Sequence, residues 1–146
     1  GVRARLRVTE KEGLEGIVEQ AIERWFDPSF QARHPETVAN VRKVLGSNNR
    51  RGYTDAYRVF AEAEMHNGAV LHGVDCPALV ITGSEDPGAT PVIAQRMVDD
   101  LSSARLMVLD GLRHMTTIEA PLLVNQALEG FFGAFELNPG DKPERR

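Results

Sequence analysis

A single cysteine, Cys76, stands among 146 residues, so no internal disulfide can staple this chain and no thiolate cage can hold a metal. That scarcity fits a reducing, cytoplasmic setting, where thiols stay unpaired. Long apolar runs are missing too. Nothing approaches the ~20 residues of a membrane span, and no signal-peptide pattern opens the chain, which also does not begin with methionine. An excess of positive charge is absent: the net charge is −4. Arg3, Arg5 and Arg7 lie close together, but acidic residues follow within a few positions, so a solvated face is the better reading than a nucleic-acid contact. Histidines are few, and His34, His66 and His72 have no ligand-type spacing with a carboxylate or cysteine cluster. They read as loop or helix-end polar residues, and no metal is expected there. What remains, 42% hydrophobic and 26% charged residues, is ordinary for one soluble domain long enough to bury a core.

Hydrophobic periodicity divides the chain in two. Val2, Ala4, Leu6 and Val8 alternate with arginines and leave a short strand or a helix lead-in open. Thr9 with Glu12 predicts a capping box, followed by Leu14, Ile17, Val18, Ala21, Ile22 and Trp25 at helical spacing. Asp27 and Pro28 end that helix, because proline disfavours helical geometry in the residue before it. A second helix is expected to start at Pro35, with Val38, Val41, Val44 and Leu45 on one side, before Gly46 stops it. A polar turn over residues 47–51 follows, and then a third helix carrying Tyr53, Ala56, Tyr57, Phe60 and Ala61. From residue 77 the pattern changes. P-A-L-V-I-T and R-L-M-V-L are short, branched apolar runs that suit strands buried on both faces. Pro91 opens an amphipathic helix between them, and Pro121 opens a last one with Leu123, Val124, Ala127, Leu128, Phe131 and Phe135 inward. Residues 138–146 are polar and read as a frayed tail. The fold class is therefore α/β: helices, then a βαβα unit with parallel strands.

In such a crossover both strands present their C-terminal ends at one edge of the sheet. Asp86 follows the first strand in G-S-E-D-P, and His114 follows the second in G-L-R-H-M. Neighbouring strands lie ~4.8 Å apart, so these side chains can meet above that edge, where open α/β sheets place their ligands. A carboxylate accepting Nδ1–H of a histidine orients the ring and stabilises its protonated form. On spacing alone, a turn-capping aspartate and a surface histidine remain the blander alternative.

The same residues carry a family resemblance. P-A-L-V-I-T-G-S-E-D-P-G-A-T-P resembles the acid strand and loop of α/β-hydrolases, with Asp86 at the acid position. A-R-L-M-V-L-D-G-L-R-H-M-T-T-I-E-A-P resembles their last strand and histidine loop, with His114 at the base position and Glu119 and Pro121 behind it. The order of acid before histidine agrees with the family's order. In the first half, E-R-W-F-D-P-S-F, V-R-K-V-L and G-Y-T-D-A-Y resemble the helical cap of the 3-oxoadipate enol-lactonase branch of carboxylic-ester hydrolases. The resemblance implies a partial α/β-hydrolase fold: a cap over residues 1–72, a C-terminal βαβα part of the core over 73–137, and the tail. It implies hydrolysis of a small-molecule ester or lactone without metal or cofactor, with Asp86 and His114 catalytic and with Trp25 and Met115 against the substrate. An ordinary core tryptophan is an equally good reading of Trp25.

The chain departs from the family in what it omits. No G-x-S-x-G occurs; Ser47 and Ser84 are the only serines after glycine, and neither sits on a strand-to-helix elbow. Without an attacking oxygen and preorganised donors the pair has nothing to activate. The expectation is a piece of a longer polypeptide or one half of a split enzyme, inactive alone, whose N-terminal hydrolase half supplies the nucleophile. That nucleophile would be serine or, in a dehalogenase-like or epoxide-hydrolase-like relative, a carboxylate. The alternative is a non-catalytic binding or regulatory module on a degenerate scaffold. Arg113 also departs, since the residue before the histidine is usually small; turned inward, it would oppose the imidazolium.

Overall fold

The computed structural model describes residues 2–63 and 71–134, so His66, Phe135 and the tail at 138–146 lie outside the described residues. The elements run α1 (Val2–Glu12), α2 (Glu15–Trp25), α3 (Pro28–Arg33), α4 (Pro35–Gly46), α5 (Arg50–Ala63), β1 (Ala78–Gly83), α6 (Pro91–Asp100), β2 (Ala104–Leu109), α7 (Thr116–Glu119) and α8 (Pro121–Gly133).

The opening segment is a helix, and the expected capping box does not form. Thr9 lies inside α1, wholly buried, and its hydroxyl donates to the Arg5 carbonyl at 2.9 Å. The break falls instead at Gly13, whose φ of 75° lets the chain turn where a side chain would be strained. From there the apolar stripe of α2 behaves as its spacing requires. Leu14, Ile17, Val18 and Ala21 pack with Leu45 of α4 into one cluster. Ile22 joins Phe26, Phe30 and Val38 in a second, and Trp25 leans on both.

Asp27 ends one helix and begins another. Its carboxylate accepts from the Ser29 N–H at 2.8 Å, and Pro28 occupies the first turn of α3, a short helix the periodicity did not announce. On α4, Val38 and Leu45 are buried, but Val44 is 59% exposed. At 100° per residue it stands well off the face that 38, 41 and 45 share. Arg50 and Arg51, expected in a turn, are already helical.

In the second half, β1 and β2 pair in parallel, from Ala78 opposite Ala104 to Gly83 opposite Leu109. Thr90 caps α6 by accepting the Ile93 N–H at 3.3 Å, and α6 lies against both strands. The strands are not buried on both faces as expected: most of their residues are only partly covered, and Val108 is exposed. The final helix departs further. Of its expected inward residues that are described, only Val124 is buried, while Leu123 and Leu128 are exposed, as are Leu122 and Phe132. Among the described residues the broad contact of α8 is with α7.

Helices α1, α2, α4 and α5 pack among themselves, and α6 packs with the strands. The two sets meet at residues 113–119, where Met115 and Ile118 press against the second cluster and the Met115 N–H donates to the Trp25 carbonyl at 2.9 Å. Gly83 makes that crossing possible. A Cβ there would overlap the carbonyl oxygens of Leu112 and Arg113, which run directly over the end of β1. Both obstacles are backbone, so neither can swing aside. Replacing Gly83 with alanine should cost about 1–3 kcal/mol or more through forced displacement of the loop. A urea titration checks this, and an unchanged midpoint would contradict the close approach.

Candidate active site

The acid loop is built around one carboxylate. Asp86 is 4% exposed, and its Oδ1 accepts the N–H groups of Gly88 at 2.7 Å and Ala89 at 3.0 Å. This fixes the turn and aims Oδ2 outward. Thr82 braces the loop from β1, with its hydroxyl donating to the Ala89 carbonyl. The histidine loop is stitched alongside: the Ser84 N–H reaches the Leu109 carbonyl at 2.8 Å, the Glu85 N–H the Leu112 carbonyl at 2.9 Å, and the Gly111 N–H the Ser84 hydroxyl at 2.8 Å. Gly111, at φ 69°, supplies the left-handed turn.

Between these loops His114 Nδ1 and Asp86 Oδ2 lie 2.7 Å apart. Burial works to raise the Asp86 pKa. The hydrogen bond from His114 and those from Gly88 and Ala89 outweigh it and leave the carboxyl below its usual value. The ionised carboxylate accepts, so Nδ1 carries the proton and Nε2 holds the lone pair. Among the described residues Nε2 has no hydrogen-bond partner, and the His114 side chain is 48% exposed.

That nitrogen opens into a cleft of about 360 Å3 lined by Trp25, Tyr57, Phe60 and Ile93, with Arg5 and Arg24 at its polar side. The Trp25 ring lies nearly parallel to the His114 imidazole, centroids 6.5 Å apart at 23°. Arg5 Nε donates to the Tyr57 hydroxyl at 2.7 Å. Burial lowers the pKa of Arg24, and the Arg5 charge pushes the same way. No hydrogen bond to the Arg24 guanidinium is found among the described residues, and no serine lines the cleft.

The structure thus brings Asp86, His114 and Trp25 together but leaves Met115 apart. Its backbone is held by Trp25 and its side chain packs on Ile22, Phe26, Phe30 and Val38, away from the cleft lining. Arg113 is directed to the end of α2, where its Nη1 donates to the Glu23 carbonyl. Its Nε is buried without a hydrogen-bond partner among the described residues, and the side chain lines a separate cleft with Gln20 and Pro87. Arg5, Arg24 and Tyr57 were invisible as site residues in the sequence, because only the packing of α1 against α2 and α5 carries them to His114. Among the described residues no cluster of histidine, cysteine and carboxylate groups could hold a metal ion. No described helix is long and apolar enough to cross a membrane.

The lowered Asp86 pKa links the site to stability. The free carboxyl titrates near ~3.9. Because the folded value is lower, its contribution is fully present above that pH and is lost as pH falls through the folded value. The stability gap between the native chain and Asp86→Asn should therefore narrow below about pH 4. Denaturant midpoints at stepped pH would show it; a gap that widens on acidification would contradict the assignment.

No family model matches the chain. It is 34% identical over 116 residues to (E)-2-((N-methylformamido)methylene)succinate hydrolase of Acinetobacter baylyi, across 78% of this chain and 43% of that protein. It is 30% identical over 133 residues to 3-oxoadipate enol-lactonase 2 of the same organism, across 91% and 49% respectively. The chain thus spans a little under half the length of these curated relatives. Its fold superposes on the enol-lactonase of Burkholderia xenovorans with a TM-score of 0.82 at 25% identity, covering 89% of this chain and 49% of that one. For the malate-bound thermophilic esterase of Thermogutta terrifontis the TM-score is 0.83 at 26% identity, with 93% and 51% covered. With its acid and histidine loops meeting at the end of a parallel strand pair, the chain belongs to the α/β-hydrolase fold family and is enol-lactonase-like.

Proposed function

We propose that this chain supplies the acid, the base and the cap of an enzyme hydrolysing a carboxylic ester or lactone that bears a free carboxylate. The carrying observation is the 2.7 Å contact of His114 Nδ1 with Asp86, which leaves Nε2 facing the cleft. In this reading Nε2 takes the proton of an attacking hydroxyl as the tetrahedral intermediate forms. It then returns that proton to the leaving oxygen, which in a lactone stays tethered to the acyl group. Water repeats the sequence on the acyl-enzyme. Asp86 holds the ring and stabilises its charge. Trp25 forms one wall, and Arg24, partly buried and without a hydrogen bond among the described residues, meets the carboxylate. The names of the relatives support that choice: one acts on a substituted succinate, the other is an oxoadipate enol-lactonase, and the esterase holds malate.

The attacking serine and the oxyanion donors come, in this proposal, from an N-terminal hydrolase half in the same or another chain, so the chain alone is inactive. Support lies in the part-covered strands and in the exposed Leu122, Leu123 and Phe132 of α8, which such a half would bury. A single exposed cysteine fits a cytoplasmic setting. A non-catalytic binding module is the second reading, favoured by the absence of serine from the cleft lining.

The test is hydrolysis by the protein expressed from its complete reading frame. His114→Ala should lower kcat/KM by roughly 100-fold to 10,000-fold. Arg24→Met should raise KM for a carboxylate-bearing lactone by roughly 10-fold to 100-fold and leave a neutral aryl ester unaffected. Equal rates with and without His114 would leave only the binding module.

A further inference from the structure

Every residue on either side of His114 is tied to the end of one helix. The last carbonyls of α2 have no partner within the helix and must find donors elsewhere. Glu23 and Trp25 find theirs in the histidine loop: Arg113 Nη1 donates to the first and the Met115 N–H to the second. A guanidinium at a helix C-terminus is also where the helix dipole favours positive charge. Glu119 closes the junction from behind. Its Oε2 accepts the Arg113 N–H at 3.1 Å, and its Oε1 accepts the N–H of Asp27, just beyond α2, at 2.7 Å.

Residues 113, 115 and 119 thus hold 23, 25 and 27, and His114 is the one member of the 113–115 run whose side chain is left for other work. Among the described residues the helices of the first half and the strands of the second share no broad packing, and this junction ties one to the other.

We propose that Arg113 and Glu119 are positioning residues: they clasp the histidine loop to the C-terminal end of α2, so that the His114 imidazole and the Trp25–Arg24 wall move as one unit. The proposal rests on the reading of His114 as the base, but its geometry is testable without catalysis. Asp86 alone sets which atom His114 hydrogen-bonds, whereas the clasp sets how the ring faces Trp25. Arg113 is unexpected for the family at its position, and the clasp gives it a task. A neutral glutamine at 119 offers one acceptor oxygen to two N–H donors, so Glu119→Gln opens one arm; Arg113→Met opens the other.

The experiment is NMR of the protein expressed from its complete reading frame with labelled histidines, following the His114 ring proton shifts, which the Trp25 ring current displaces, and exchange of the Nδ1 proton. In Arg113→Met and in Glu119→Gln the His114 ring shifts should move toward free-histidine values. The Nδ1 proton, whose acceptor Asp86 is untouched, should exchange at its native rate. Amide shifts of α4 and α6 should stay in place. Arg113→Lys, which keeps a donor for the Glu23 carbonyl, should restore the native ring shifts; it serves as the deciding variant if either of the others fails to fold. Unmoved ring shifts in the folded variants, or a lysine variant with free-histidine shifts while α4 and α6 keep theirs, would overturn the clasp. Failure of the hydrolysis test with the ring shifts behaving as described would instead remove the base and leave the clasp standing.

Discussion

Two segments that leave neighbouring parallel strands are held in contact here by a backbone approach that only glycine permits. Gly83 ends β1 opposite Leu109, and the carbonyls of Leu112 and Arg113 pass over it where a side chain would stand. That approach lets the Glu85 N–H reach the Leu112 carbonyl and keeps the histidine loop low over the acid loop. Asp86 and His114 then meet at 2.7 Å with little freedom to separate. Much of the proposed chemistry follows from it: a fixed tautomer, an ionised carboxylate and an Nε2 open to the cleft.

The acid loop illustrates how one carboxylate satisfies two demands. Oδ1 is consumed by the N–H groups of Gly88 and Ala89, which shape the turn; Oδ2 is reserved for the imidazole. Burial alone would favour the neutral acid, and the surrounding donors reverse that balance. A loop that folds by hydrogen-bonding to the same side chain that orients the base cannot place one without the other. The helical layer is attached with comparable economy. Its own cores are made by Leu14, Ile17, Ile22, Phe26 and Val38, and it reaches the strands through residues 113–119. The junction that positions Trp25 is therefore also the junction that positions His114.

Exposed apolar side chains lie on α4, α5 and α6 as well as on β2 and α8. The strands are part-covered, α8 presents Leu122 and Phe132 to solvent, and the solved relatives are about twice as long. For the strands and for α8, burial is where the sequence-based expectations failed. Local periodicity predicted which face of α8 and which strands were apolar, and it could not say whether anything would cover them.

By itself, the sequence determined the strand–helix–strand–helix order of the second half apart from the short α7, the helix starts at Pro35, Pro91 and Pro121, and the stripe on α2. These depend on local backbone preference and on the 3.6-residue period. It also placed Asp86 and His114 at one edge, because parallel pairing leaves no alternative. It misjudged Thr9 and Val44 on local grounds, the helix running through one and the helical period turning the other outward, whereas Met115 packs against distant segments. Only tertiary packing decided that Arg5, Arg24 and Tyr57 would share the cleft and that Arg113 would reach Glu23. Those meetings join residues about 20 to 90 positions apart, and no local rule spans such separations: whether they form depends on the free energy of docking whole elements, not on the preferences of any one of them.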